Sequence, residues 1–153
     1  MLQKIFIILT VLILAVAIMF FFRGKASQNG QAAGLTNGQL TKCSNKPNCA
    51  CSEYADDDIH FVEPLSFASG SADEAWSNTI KAISATGGKI VENNGSYAAA
   101  TYTSSVFKFV DDVELRLDRD NNLIHIRSAS REGYSDLGVN AKRVASIRAA
   151  ARL

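Results

Sequence analysis

The sequence predicts an α+β protein: an N-terminal transmembrane helix, then a helix, a four-stranded antiparallel meander and a C-terminal helix. Three observations predict it. Eighteen residues from Ile5 to Phe22 include only one polar side chain, Thr10. Turn signals at Asn94-Gly95 and at Asp118-Arg119-Asp120-Asn121-Asn122 separate segments that read as strands. Apolar residues recur at helical spacing between Ser71 and Gly87, and a second helical stretch runs from Asn140 to about Arg152.

The chain has 153 residues, with 16 Lys and Arg against 15 Asp and Glu, 47% hydrophobic and 20% charged. That length suits one ordinary domain. The composition excludes a disordered chain. The near-zero net charge of +1 argues against a nucleic-acid partner, which calls for a basic excess. The lysines and arginines of the last helix (Lys142, Arg143, Arg148, Arg152) read as a solvated or membrane-proximal face.

The run from Ile5 to Phe22 would span about 27 Å as a helix, close to the hydrocarbon thickness of a bilayer. Residues 1–25 therefore read as a single-pass anchor. The rival is a cleaved signal peptide, for which Ala15-Val16-Ala17 has the small-x-small form. Cleavage there would leave Ile18-Met19-Phe20-Phe21-Phe22 at a new terminus, which favours the anchor. Lys4 lies on one flank and Arg23 and Lys25 on the other, so charge does not set the orientation. Residues 26–42, rich in Gly, Asn and Gln, read as a flexible linker to a globular domain over 43–153.

Cys43, Cys49 and Cys51 are the only cysteines. Cys43 and Cys49 bracket a Pro-Asn turn that can bring them within disulfide range. Free thiols and a metal site are the alternatives, the latter disfavoured by the absence of paired C-x-x-C spacing. A disulfide places the domain in an oxidising compartment, on the extracytoplasmic (periplasmic) side of a membrane. Cys51 would then be buried, exchange with Cys49, or link two chains. Asp56-Asp57-Asp58 with His60 reads as a solvated turn, because the spacing and glycine of a calcium loop are missing.

Within the domain, Ser71 and Glu74 have capping-box spacing ahead of Ala75, Trp76, Thr79, Ile80 and Ile83, and Gly87-Gly88 ends that helix. Strands are expected over 89–93, 96–103, 107–118 and 123–131, with a loop over 133–138 and Asn140 capping the last helix. A tight turn at Asp120-Asn121 sets a register. Leu117 then faces Ile124, Leu115 faces Ile126, Val113 faces Ser128 and Asp111 faces Ser130, on the side the helices cover. On the other side Arg116 faces His125, Glu114 faces Arg127, and Asp112 lies diagonal to Arg127 and Arg131.

This charge ladder supports two readings. It can be a set of structural cross-strand ion pairs. It can also be a ligand site, with Asp111, Asp112 and Glu114 set against Arg127 and Arg131, and Ser128, Ser130, Tyr134 and Asp136 nearby; the arginines would grip a carboxylate or phosphate.

The segments Cys43…Lys46-Pro47-Asn48-Cys49, Phe109-Val110-Asp111-Asp112-Val113-Glu114 and Arg127-Ser128-Ala129-Ser130-Arg131-Glu132-Gly133-Tyr134-Ser135-Asp136-Leu137-Gly138-Val139-Asn140, with Arg143, resemble the domain-of-unknown-function 1499 family (DUF1499) from about Cys43 to the C-terminus. The resemblance adds Asn140 and Arg143 to the ligand-site candidates. It implies no established activity and carries over no catalytic residue; members are often secreted or membrane-attached. Cys51 stands where the family more often has Ser.

The functional expectation is a membrane-tethered extracytoplasmic domain that binds an anionic small ligand or an envelope partner protein. No cofactor, metal or nucleic acid is expected, and the oligomeric state is open. One alternative is a hydrolase using Asp111 or Asp112 with Ser128 or Ser130, although no Gly-x-Ser-x-Gly occurs and neither histidine sits in an evident triad. The other is a purely structural envelope component.

Overall fold

The computed structural model describes all 153 residues. Helix α1 (Leu2–Gln28) is long and apolar enough to cross a membrane, and none of its most apolar window is buried against the domain. Short strands β1 (Leu35–Thr36), β2 (Gln39–Leu40), β3 (Cys49–Cys51) and β4 (Leu65–Ser66) precede helix α2 (Ala72–Ala85). Strands β5 (Lys89–Asn93), β6 (Tyr97–Thr103), β7 (Val110–Asp118) and β8 (Leu123–Ser130) follow, and helix α3 (Val139–Ala151) closes the chain.

The expected meander of four strands is present as β5 to β8, all antiparallel, but the sheet has six strands in all. Its order is β3-β8-β7-β6-β5, and β4 also pairs with β8. The added strands are too short to show alternation, and they cover what would otherwise be an open edge of β8. The β7–β8 register is the expected one, from Asp118 opposite Leu123 to Asp111 opposite Ser130. Alternation puts Val113, Leu115, Leu117, Ile124 and Ile126 on one face, where they pack with Ile83 of α2 and Val144 and Ile147 of α3. Each such side chain removed from water contributes about 1.5–3 kcal/mol, so a slip by one residue is strongly disfavoured.

Several local expectations are corrected. No capping box forms at α2: the Ser71 hydroxyl donates to the Ala68 carbonyl (2.6 Å) instead of accepting from the helix. The first hairpin turns one residue later than Asn94-Gly95, since the Asn94 amide donates to the Tyr97 carbonyl and Gly95 takes a positive φ of 87°. Strand β7 starts at Val110 and not Phe107, because residues 104–109 form a turn with Lys108 at positive φ.

The stretch expected as a flexible linker contains the end of α1 and the β1–β2 hairpin, turned at Asn37-Gly38 with both residues at positive φ. An Asn-Gly pair suits this turn. Leu40 at its end is fully buried with Cys43, Cys51, Tyr97 and Ala99 in a small second core. The charged face of the sheet is therefore covered too, and the domain has three layers: helices, sheet, and the N-terminal segment.

Candidate functional site

The candidate residues fall into two networks, because strand alternation sends neighbours to opposite faces. On the helix face the organiser is Asp136. Its carboxylate accepts from the amides of Gly138 (3.0 Å) and Asn140 (2.6 Å), so it caps α3, where a negative group is favourable. Asn140, expected as the cap, is the second residue of α3 and points into the sheet. It is 1% exposed. Its Oδ1 accepts from Ser128 Oγ (2.6 Å) and from Arg143 Nη1, while its Nδ2 donates to the Asn48 carbonyl (2.9 Å) and to Ser130 Oγ (3.0 Å). Every hydrogen-bonding capacity of the amide is used. Arg143 also donates to Asp111 Oδ2 (2.6 Å) and lies 4.7 Å from the Tyr102 ring centroid. Burial pushes the Tyr102 phenol up.

On the opposite face, Glu114 is fully buried. Its Oε2 accepts from Arg127 Nη1 (2.8 Å), and its Oε1 accepts from Tyr97 OH (2.8 Å) and the Gly34 amide (2.6 Å). Burial and then the Glu114 charge push the Tyr97 phenol far up, so it stays a donor. Arg127 Nε is buried with no partner. Asp112 takes two parallel bonds from Arg131 (2.7 and 2.8 Å), which hold the guanidinium's proton more tightly, and Arg131 Nη1 donates to the Ser27 carbonyl at the end of α1 (3.1 Å). Arg116 bonds Glu53 of the N-terminal segment at 2.6 and 3.2 Å and Asp118 of its own strand at 3.4 Å.

The structure thus joins Asp111, Ser128, Ser130, Asn140 and Arg143 on one face, and joins Glu114 to Arg127 and Asp112 to Arg131 on the other. Asp136 acts through α3. Tyr134 is 70% exposed and stands apart. Asp111 and Asp112 are on opposite faces. The Ser128 hydroxyl donates to an amide and not to a base. A groove of 520 Å³ is lined by Gly34, Leu35, Val91, Glu92 and Tyr97 and meets the Glu114 network through Gly34 and Tyr97.

Residues that sequence reasoning missed are Ser27, Gly34, Asn48, Ser52 and Glu53. Each is a partner from the N-terminal segment, and nothing in its local sequence announces the role. Ser52 Oγ accepts from the Ile126 amide (2.8 Å) and lies 3.3 Å from His125 Nδ1.

Cys43 and Cys49 form a disulfide, with Cα atoms 5.9 Å apart. Cys51 is a free thiol, 2% exposed, and burial pushes its pKa up. His60, expected in a solvated turn, is buried. Its Nδ1 is 2.8 Å from Asp57 and its Nε2 3.0 Å from the Lys46 carbonyl, which ties the acidic loop to the disulfide loop. The hydrogen bond from His60 holds the Asp57 carboxyl below its ordinary 3.8. A carboxyl depressed in the folded state stabilises the fold above its unfolded pKa, and that contribution is lost as pH falls through the folded value. The stability difference between the wild type and Asp57→Asn should therefore hold between about pH 5 and the ordinary carboxylate value and shrink below it. Urea unfolding across that range measures it, and a difference that grows on acidification would contradict the assignment.

A family model described as a protein of unknown function, DUF1499, matches residues 39–151. The chain belongs to the DUF1499 family. Neither a curated protein nor a solved structure is matched by it. The DUF1499 match begins inside β2, so it takes in the cysteine loop, the whole six-stranded sheet and both domain helices, while α1 lies outside it.

Proposed function

We propose that this DUF1499 protein is a single-pass, membrane-tethered module on the extracytoplasmic side that engages an envelope partner protein and does no chemistry of its own. The observation that carries this is the joint between α1 and the domain. Gly24 and Ser27 of α1 are buried. Ser27 Oγ accepts from the Val110 amide (3.0 Å), and Arg131 holds the Ser27 carbonyl. Such a joint presents the domain to a neighbour at a set angle and height above the bilayer. The arginines that would receive a small anion are each committed to a carboxylate, which weighs against the anionic-ligand alternative. The hydrolase alternative needs Ser128 or Ser130 beside Asp111 or Asp112, and both hydroxyls bond the Asn140 amide instead.

The compartment is tested by counting thiols. Protein trapped by acid in intact cells, then denatured, should take up one maleimide per chain before reduction and three after it. Three before reduction would mean a reducing compartment and would end the extracytoplasmic reading. The partner role is tested by cross-linking in cells: Arg131→Ala, which releases the Ser27 carbonyl, should weaken the adduct in a protein that still folds, and an unchanged adduct would count against the joint.

A further inference from the structure

The β6–β7 loop, residues 104–109, does not turn back at the level of the domain. Val110 bonds Ser27 of α1, yet three residues earlier the Phe107 ring lies 5.4 Å from that of Phe20, and Phe109 lies 6.2 Å from it edge-on. The loop backbone meets α1 at Gly24, about 4.5 Å down the helix from Ser27, and its aromatic rings carry it on to Phe20, about 10 Å down. That takes it to the level of the apolar run, which ends at Phe22. The approach is close: a side chain at Gly24 would collide with the Phe107 carbonyl oxygen. At the loop tip Val106 is 75% exposed. Lys108 beside it, with Arg23 and Lys25 on α1, supplies cations at headgroup height.

We propose that this loop is a second membrane contact: Val106 enters the interfacial zone of the same bilayer that α1 crosses, and Phe107 and Phe109 seal the loop to the helix. An apolar tip flanked by lysine and held against a spanning helix fits a lipid surface better than water. This rests on the anchor reading of α1.

The test uses the full chain in phosphatidylcholine–phosphatidylglycerol vesicles with lipids brominated near the carbonyls. Trp76, the one native tryptophan, lies on α2 buried in the core and serves as the unquenched reference. Val106→Trp, or Ser105→Trp at the same tip should the first fail to fold, is expected to shift emission to the blue and lose intensity to the bromines. Asp120→Trp, at the β7–β8 turn roughly 25 Å away along the strand, should behave like the wild type. Unquenched loop tryptophan in protein that floats with the vesicles overturns the loop contact alone, as does equal quenching of Asp120→Trp. Protein that fails to float overturns the anchor reading as well.

Discussion

Replacing Glu114 with alanine should destabilise the domain by about 3–5 kcal/mol, the usual effect of removing one partner of a buried ion pair. Glu114 has no exposed surface and satisfies three donors: Arg127, Tyr97 and the Gly34 amide. Without it the Arg127 guanidinium stays under the N-terminal layer with its one carboxylate gone, and its Nε already has no partner. Gly34 and Tyr97 lose their acceptor too, which should loosen the β1–β2 hairpin from the sheet. Glu114→Gln keeps an acceptor and should cost less, about 1–3 kcal/mol. The double change Glu114→Leu with Arg127→Met should recover much of the loss, since apolar pairs of similar volume often replace buried ion pairs without penalty. Urea unfolding of the detergent-solubilised chain measures all three. A loss below about 1 kcal/mol for Glu114→Ala would mean the pair behaves as a surface pair and that water reaches this layer.

Asn140→Ala should cost about 2–4 kcal/mol by removing a buried amide whose hydrogen bonds join α3 to the sheet and to the cysteine loop. The Asn48 carbonyl and the hydroxyls of Ser128 and Ser130 would lose the amide that joins them, and Arg143 would keep Asp111 and Ser128. Because Asn48 precedes Cys49, the change should reach the disulfide loop. Hydrogen exchange at the β3 amides should speed up more than at β6. Equal protection in both strands would show that Asn140 only packs and does not tether the cysteine loop.

These two residues show how unevenly the molecule was legible. Glu114 opposite Arg127 followed from the turn at Asp120-Asn121 and strict alternation, and both hold. Nothing indicated that the pair would be buried, because a polar residue on a sheet face reads the same whether water or another segment covers it. Asn140 looked like a cap because asparagine favours that position. Asp136 took the role from two residues before Gly138, whose positive φ of 78° lets the helix start at Val139, earlier than a cap at Asn140 would allow. Ser71 failed as a cap for a similar reason: its hydroxyl found a nearer acceptor in its own turn.

The sequence alone determined what depends on near neighbours: an apolar helix of membrane length, a disulfide across six residues, a hairpin register, and which sheet face is greasy. Each is a periodicity or a short-range closure, and the entropy of forming it is settled locally. Only the tertiary structure decided who meets whom. Arg116 with Glu53, Glu114 with Gly34, Asn140 with Asn48 and Arg131 with Ser27 are separated by 63 to 104 positions. No repeat links such pairs. They are selected by the packing of the N-terminal segment against the charged face and the β3 edge of the sheet, which compels each buried donor and acceptor to find a partner there.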